Sequence, residues 1–311
     1  MNESGLQAEK QPRYKKKNLF EREGFLAYLF IAPAILLIVV FLFYPVANVF
    51  YYGFQHRNLM RPWTDGFAGF DNFIEIFTDD PIFTSSLVIS LRWVVMQVSL
   101  QLLFGMIVAL LLNTAFRFRG LIRTIMFYPW AISGVLTAMM WRMMFHQHVG
   151  VLNAILLDLG LIDSHIAWLA NPAVVFNSVV AAGVWRGIPF FAIMILARLQ
   201  TIPTDIYEAC DVDGASGLQK FFYITLPHLK EAIILATLLR TVWEFNAVDL
   251  ILNLTDGGPA RMTTTLTIYI VNTAITTQNF GYGAALATVS FFILLVFALL
   301  YLKLSRFGKD D

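Results

Sequence analysis

The chain has 311 residues, of which 22 are Lys or Arg and 21 are Asp or Glu, so that only 14% carry charge while 58% are hydrophobic. This charged fraction is about half of that in ordinary soluble domains. With a mean hydropathy of +0.66, the chain has more apolar residues than one water-soluble core of this length could bury. A net charge of +1 provides no field that attracts nucleic acid, and one cysteine excludes an intramolecular disulfide. The composition therefore predicts a protein whose main solvent is lipid.

Six stretches of the chain are suited to cross a membrane as helices, which predicts an all-α, polytopic membrane protein. A spanning helix needs about 20 mostly apolar residues, because it rises about 1.5 Å per residue through about 30 Å of hydrocarbon. We predict a basic head at 1–24, followed by one transmembrane domain at 25–311. The predicted spans are 25–43, 92–117, 121–141, 173–197, 232–254 and 283–302. A re-entrant or surface helix is predicted for 263–281.

Lys and Arg residues are distributed unequally between the two sides of these spans. Fifteen lie in the head, in the loops that follow the second and fourth spans, and in the tail, whereas four lie on the opposite side. Because positively charged flanks stay in the cytoplasm, both termini are predicted to be cytoplasmic. The other three, Arg92, Arg186 and Arg240, lie within spans.

The loop 199–229, between the fourth and fifth spans, is too polar to enter lipid. Its sequence predicts two short helices, since Thr204 is a candidate N-cap and Gly214 can end the first helix. Ser216 can begin the second helix. Pro227 is predicted to close the loop before the fifth span.

The same loop carries a spaced motif that begins with Glu208, Ala209 and Cys210. Gly214 follows after three residues, and nine further residues lead to Ile-Thr-Leu-Pro, which ends at Pro227. This spacing resembles the signature of permeases of binding-protein-dependent ABC importers, in particular their carbohydrate-uptake, maltose-permease-like branch. Cys210 departs from the signature by replacing a second alanine with another small residue.

Further segments occur in the order and at the spacing typical of that branch. They are FYPWAI at 127–132, the segment 150–153, WLANP at 168–172, WRGIPF at 185–190, the segment 245–249 and LTDGGP at 254–259. One departure is Ser133, where many relatives have a second proline. The sequence therefore leaves open whether the third span is kinked.

The resemblance implies the architecture of a type I ABC importer permease core and a partner for each task of transport. It implies a second, non-identical permease subunit, two ATPase subunits and an extracytoplasmic solute-binding protein that delivers a carbohydrate. The chain has no G-x-x-x-x-G-K-S/T phosphate loop, so ATP and Mg are expected on the ATPase subunits, and no cofactor is expected in this chain. Neither a nucleophile elbow nor a zinc pair supports an enzyme.

The resemblance also implies that a helix of the loop 199–229 docks on the ATPase and passes its motion to the spans. Small side chains at Ala209 and Cys210 allow close approach, and Glu208 can pair with a basic residue of the partner. The alternative is an ordinary amphipathic surface helix. The residues assigned to coupling are Glu208, Ala209, Cys210, Asp213, Gly214, Leu226 and Pro227.

Charged side chains inside the fourth and fifth spans predict a polar path. Such side chains normally face a bundle interior or a wet cavity. Arg186 lies about 18 Å from the end of its span at helical rise, and Arg240 and Glu244 share a helix face. In the permeases that this chain resembles, sugar contacts come from matching stretches. The residues predicted for the substrate path are Gly183, Trp185, Arg186, Gly187, Phe190, Arg240, Trp243, Glu244, Asn246 and Ala247.

Within this path, Gly183 and Gly187 are expected to leave room for a ligand, and Phe190 or Trp185 to stack on a sugar ring. Two arginines per carboxylate would suit an anionic sugar, although a neutral oligosaccharide stays open. The charged residues contact the ligand directly or pair with Glu244 or Asp249 between helices, and the sequence favours neither alternative.

Two other classes of function are kept as alternatives. An ion- or proton-coupled secondary transporter would explain the buried charges but would leave the motif of the loop 199–229 without a purpose. A membrane enzyme that acts on a lipid-linked sugar is the other alternative. Three histidines, His146, His148 and His165, share one loop, but they lack Cys or carboxylate partners at metal-ligand spacing and are expected to be plain surface residues.

Overall fold

The computed structural model describes residues 23–114 and 116–305. The predicted basic head therefore lies almost entirely outside the described residues, as do Arg306 and Lys309 of the tail. By their internal contacts, the residues form two units, 1–51 and 52–311.

The described part of the first unit is helical. Helix α1 (Glu23–Ile38) continues through one π-helical turn (Val39–Phe43) into α2 (Tyr44–Gly53). The stretch Tyr28–Gly53 is long and apolar enough to cross a membrane. The predicted first span is thus helical, and the helix extends about ten residues beyond the predicted end because the sequence stays largely apolar there.

Four long helices of the second unit also have the length and composition of membrane spans. They are α4 (Pro81–Asn113), α8 (Val175–Leu199), the continuous helix Gly217–Phe245 and α14 (Phe280–Ser305). Asp80 caps the start of α4, because its carboxylate accepts hydrogen bonds from two backbone N–H groups of the first turn. The described residues thus contain five such helices, or six if a bent pair counts as one span, and the predicted all-α class is confirmed.

The bent pair occupies the predicted third span. Helices α5 (Arg119–Ala131) and α6 (Gly134–Met144) meet at an angle of 99°. Ser133 lies at the break and caps α6 by accepting a hydrogen bond from the backbone N–H of Leu136. The span therefore bends without a second proline, because a serine N-cap starts a new helix at this point.

The predicted fifth span, 232–254, differs from the structure at both ends. The helix starts earlier, as α10 (Gly217–Lys220), a π-helical turn (Phe221–Thr225) and α11 (Leu226–Phe245) follow one another without a gap. Pro227 lies within this continuous helix, directly after the π-helical turn, and the prediction that it closes the loop is wrong. A proline is tolerated at this place because the π-helical turn already interrupts the regular ladder of backbone hydrogen bonds. After Phe245 the helix stops, and α12 (Asp249–Thr255) follows as a separate helix.

The loop between α8 and α11 folds largely as its sequence predicts. Its first helix is α9 (Thr204–Val212), although Pro203 and not Thr204 takes the N-cap position. Gly214 has a φ of +75° after the end of α9, a conformation that favours glycine. Ser216 begins α10 with a capping box that includes Gln219.

The remaining elements of the second unit are short. They are β1 (Gln55–His56) and β2 (Gly66–Phe67), which pair antiparallel, a 3₁₀ turn (Pro62–Thr64), α3 (Asp71–Thr78), α7 (Val151–Asp158), α13 (Leu266–Val271) and a π-helical turn (Asn272–Thr276). The predicted surface or re-entrant segment 263–281 thus contains a short helix, α13, which continues into the π-helical turn.

The close approach of α4 to α8 organises the core of the second unit. Gly105 of α4 faces α8, and a Cβ built there would be 2.5 Å from the Cβ of Phe191 and 3.1 Å from the backbone of Ala192. Phe191 and Ala192 are both fully buried. Small residues at such crossings let helix backbones approach closely in membranes.

We therefore expect Gly105→Ala to destabilise the folded chain by about 1–3 kcal/mol, because the added methyl group overpacks the α4–α8 contact. Gly120→Ala is the matched control, since a Cβ at Gly120 meets nothing within 4 Å. Thermal unfolding of the two purified variants in one detergent measures the difference. Equal midpoints for both variants would contradict the proposed packing role.

Candidate functional site

Two helix breaks meet at one point of the structure. Gly134 is the first residue of α6, and Asp249 is the first residue of α12. A Cβ at Gly134 would overlap the carboxylate of Asp249, so only glycine admits this side chain at the start of α6. A carboxylate at this position is favourable, because the N-terminus of a helix carries partial positive charge.

Arg186 joins α8 to both breaks. Its Nη1 lies 3.7 Å from Oδ2 of Asp249, and its Nε donates a hydrogen bond of 3.4 Å to the carbonyl oxygen of Ile132, between α5 and α6. The carbonyl of Ile132 is available because α5 has ended at Ala131. The broken helices thus supply the groups that hold Arg186.

A cavity of about 550 Å³ lies next to this junction. It is lined by Trp130, Arg186, Arg240, Val242, Trp243, Glu244, Asn246, Ala247, Val248 and Asp249. Six of the ten residues predicted for the substrate path are therefore brought together around one space. The other four, Gly183, Trp185, Gly187 and Phe190, are not among its lining residues.

The two glycines of α8 have a different use from the predicted one. A Cβ at Gly183 would overlap the side-chain amide of Gln97, and a Cβ at Gly187 would overlap that of Gln101. Both glutamines belong to α4 and are fully buried. The space that the glycines leave is therefore filled by the protein itself, and the expectation that they leave room for a ligand is corrected.

The two aromatic side chains that were predicted to stack on a sugar ring do not line the cavity. Phe190 is buried against Trp243, with ring centroids 5.2 Å apart, and Trp185 packs on Trp141 at 6.0 Å. The lining tryptophans are Trp130 and Trp243, each 48% exposed. Trp130 belongs to the segment FYPWAI, which the sequence singled out without assigning this side chain to the path.

Arg240 and Glu244 form an internal pair one helical turn apart. Nη2 of Arg240 lies 2.7 Å from Oε1 of Glu244, and both side chains are at most 10% exposed. Trp93 of α4 donates from Nε1 to Oε2 of Glu244 at 3.1 Å. Buried charges are tolerated when they are paired and hydrogen-bonded, and here the structure shows pairing.

Gln101 of α4 bonds to both members of this pair. Nε of Arg240 donates to Oε1 of Gln101 at 2.6 Å, and Nε2 of Gln101 donates to Oε1 of Glu244 at 3.0 Å. Neither Gln101 nor Trp93 was predicted from the sequence, because polar residues inside a long apolar run give no sign of their partner. The only available signal was a glutamine pair at i, i+4, Gln97 and Gln101, on one face of a span.

Arg186 and Asp249 form a looser pair than Arg240 and Glu244. Their side chains are 30% and 45% exposed, and the 3.7 Å separation exceeds a hydrogen bond. The cavity is lined by two arginines and two carboxylates, since Asp249 lines it together with Glu244. The expected excess of two arginines per carboxylate is therefore corrected to a balanced set.

Helix α9 is braced against α10 and against the π-helical turn that precedes α11. The hydroxyl of Tyr207 and Oγ1 of Thr225 share a hydrogen bond of 2.9 Å, and Asp211 forms an ion pair with Lys220. The end of α8 is joined to α11 separately, because Nε of Arg198 donates to the carbonyl oxygen of His228 at 3.0 Å.

The side chains of α9 that do not take part in these bonds are largely exposed in the described residues. Glu208, Ala209, Asp213 and Gly214 are exposed, as is the apolar side chain of Val212. Cys210, Leu226 and Pro227 range from partly buried to exposed. The assigned coupling residues thus lie on or beside an exposed helix that is tied to a span at its base.

The three histidines of the loop before α8 lie side by side. The ring centroids of His146 and His148 are 6.4 Å apart, and those of His148 and His165 are 5.8 Å apart. Among the described residues there is no group of three or more His, Cys, Asp or Glu side chains that could hold a metal ion.

Sequence comparison relates the whole arrangement to known transport proteins. A family profile described as "Binding-protein-dependent transport system inner membrane component" matches residues 101–306. The chain belongs to this family. It is therefore a multi-pass inner-membrane permease of a binding-protein-dependent transporter. Permeases of this family bind no cofactor themselves, and ATP is hydrolysed by a separate subunit.

Individual relatives of this permease match over nearly its full length. It is 35% identical over 289 residues to the trehalose/maltose transport system permease protein MalF of Thermococcus litoralis, covering 93% of this chain and 96% of that protein. It is 36% identical over 281 residues to the sulfoquinovosyl glycerol transport system permease protein SmoG of Agrobacterium fabrum, covering 90% of each. The lactose transport system permease protein LacF of Rhizobium radiobacter is 34% identical over 278 residues, covering 88% and 90%.

One solved structure shows the same fold as this permease. It is the crystal structure of a bacterial ABC transporter involved in the import of the acidic polysaccharide alginate. The TM-score is 0.80 at 23% identity, and the match covers 93% of this chain and 98% of that chain. The predicted architecture of an ABC importer permease is therefore confirmed.

For the internal pair of this permease, we expect Arg240→Leu to cost about 3–5 kcal/mol, because it leaves the buried carboxylate of Glu244 without its cation. The double variant Arg240→Leu, Glu244→Leu is expected to recover most of this loss. Thermal unfolding of the variants in detergent measures the stability. A double variant as unstable as Arg240→Leu would refute the role of Glu244 in the loss.

Proposed function

We propose that this chain is one of two non-identical permease subunits of an ABC importer that takes up a sugar, an oligosaccharide or a sugar derivative. A solute-binding protein delivers the ligand from outside, and two ATPase subunits power its passage. The family membership carries the proposal, and three relatives whose names mention sugars or a glycosyl glycerol support the substrate class.

The chemistry of the cavity fits this substrate class. Trp130 and Trp243 offer aromatic faces on which the apolar face of a sugar ring can stack. Arg186 supplies hydrogen-bond donors, and Asp249 supplies acceptors, for sugar hydroxyl groups. Because positive and negative side chains balance in the lining, a neutral sugar suits the cavity better than an anionic one.

The exposed side of α9 is the proposed contact with the ATPase. Glu208 provides a charge for a basic residue of that partner, and Ala209 allows close approach. The bond between Tyr207 and Thr225 joins α9 to the start of α11, so that a push on α9 reaches this helix directly. The proposal requires that α9 and both termini face the cytoplasm, as the distribution of Lys and Arg predicts.

The surroundings of the subunit follow from the same topology. Membrane lipid is the solvent of the long apolar helices, and no nucleic acid partner is proposed, because the net charge is only +1. In the part of the chain that the structure describes, the secondary-transporter alternative has no observation of its own, since the buried charges Arg240 and Glu244 are paired.

We expect proteoliposomes that contain the assembled transporter and its binding protein to take up sugar only with ATP. Arg186→Ala is expected to lower uptake at least about tenfold, because a charged hydrogen bond to a ligand contributes about 1.5–3 kcal/mol. Arg61→Ala, an exposed arginine outside the cavity, is the control. Uptake that survives without ATP but follows a proton gradient would overturn the importer assignment.

A separate experiment tests the proposed coupling surface. Glu208→Lys is expected to abolish uptake and substrate-stimulated ATP hydrolysis while the protein remains in the membrane, because it places like charges at the contact. Gly214→Val is expected to impair both, since a valine is strained at a φ of +75°.

Gly217→Val is the control for Gly214→Val, as a Cβ at either glycine meets nothing within 4 Å and only Gly214 has a positive φ. Immunoblots of purified membranes report the amount of each variant. Normal uptake by Glu208→Lys would disprove the assignment of α9 as the coupling helix.

A further inference from the structure

Gln101 is a buried neutral side chain between the two charges of α11. Within the described residues, it is the side chain that hydrogen-bonds to both Arg240 and Glu244. Its carbonyl oxygen accepts from the arginine, and its NH₂ group donates to the carboxylate. A glutamine can do both at once because its amide carries an acceptor and two donors.

The packing around Gln101 fixes this amide in one place. A Cβ at Gly187 of α8 would overlap all three terminal atoms of the Gln101 side chain. On its other side, Nε2 of Gln101 donates to Oε1 of Gln97 at 2.6 Å, and Gln97 donates to the carbonyl oxygen of Val180 at 3.2 Å. The two glutamines are fully buried. An amide held between α4 and α8 in this way is preorganised for its partners on α11.

This arrangement decides which cation a ligand in the cavity meets. Arg240 lines the cavity, but its Nε bonds to Gln101 and its Nη2 bonds to Glu244. Its side chain is 10% exposed, whereas that of Arg186 is 30% exposed. A ligand therefore meets Arg186 next to Asp249, while the charge of Arg240 is directed to internal partners.

We propose that Gln101 is a positioning residue that determines charge selectivity. By holding Arg240 on Glu244, it keeps the cavity electrostatically balanced and so favours neutral over anionic sugars. This inference rests on the proposed function, since it concerns the sugar path of the same permease. It does not require Gln101 to contact the ligand.

Two substitutions of similar size act in opposite directions under this proposal. Gln101→Leu removes the acceptor for Nε of Arg240 and frees one cationic N–H for a ligand carboxylate. Gln101→Glu keeps an acceptor for Arg240, adds negative charge and repels an anionic ligand further. The preference for an anionic over a neutral sugar is expected to follow the order Leu, Gln, Glu at position 101, with Leu highest.

The test measures direct sugar binding to the purified, assembled transporter without its binding protein, so that delivery does not affect the result. The probes are maltose and its uronate analogue, in which one CH₂OH group is replaced by a carboxylate. Tryptophan fluorescence gives both dissociation constants, because Trp130 and Trp243 line the cavity. We expect Gln101→Leu to shift their ratio about tenfold towards the uronate and Gln101→Glu to shift it away.

Asn153→Leu is the matched control. Asn153 is also a buried amide, but its hydrogen bonds join α7 to the loop that precedes α8, and it does not line the cavity. Its ratio of dissociation constants is expected to equal that of the wild type. A merely structural role of buried amides would alter Asn153→Leu and Gln101→Leu alike, and this result would overturn the proposal.

A second approach applies if Gln101→Leu does not fold. Gly187→Ala displaces the amide of Gln101 from another helix and is expected to shift the ratio in the same direction as Gln101→Leu. Wild-type ratios in Gly187→Ala and Gln101→Glu would overturn the proposal. A wild-type transporter that binds neither sugar would instead contradict the proposed function, so the two failures are distinguishable.

Discussion

A charge placed inside a membrane must be paired, and this constraint explains much of the second unit. Glu244 is satisfied by Arg240 on its own helix and by Trp93 and Gln101 on α4. These bonds require α4 and α11 to lie against each other near the middle of α4. The side chain of Gln101 also occupies the space that a Cβ of Gly187 would fill. The bonds of Gln101 to the charged pair therefore set the position of α8 as well. One buried carboxylate thus connects three of the long helices.

The cavity arises because two helices are broken beside this network. A continuous helix would satisfy its own backbone groups and leave no free carbonyl or N-terminus at this depth. The breaks before Gly134 and before Asp249 supply both, and Arg186 bonds to the carbonyl oxygen of Ile132 at the first of them. Irregular backbone in a transporter is tolerated where it lines a cavity, and discontinuous helices are a common way to build a binding site.

The sequence predicted those features that depend on local chemistry. Apolar runs gave the spans, and Gly214 and Ser216 gave the ends of the short helices, because φ preference and capping act within a few residues. It failed where a residue is chosen for a partner far along the chain. Gly187 is small because of Gln101, which lies 86 residues earlier, and no local pattern contains that information. The roles assigned to Glu208 and its neighbours stay predictions.

Helix α11 connects the two ends of the proposed mechanism. Immediately before its first residue, Thr225 bonds to Tyr207 of α9, and near its end Arg240 and Glu244 reach the cavity. An α-helix of 20 residues is about 30 Å long and transmits displacement along its axis because its backbone bonds are all internal. A movement of α9 by an ATPase would therefore shift Arg240 and Glu244 relative to Gln101 and Trp93 on α4. Since buried charges tolerate few alternative partners, such a shift would favour discrete arrangements over a continuous range. The buried pair is thus suited to make opening and closing of the path switch-like.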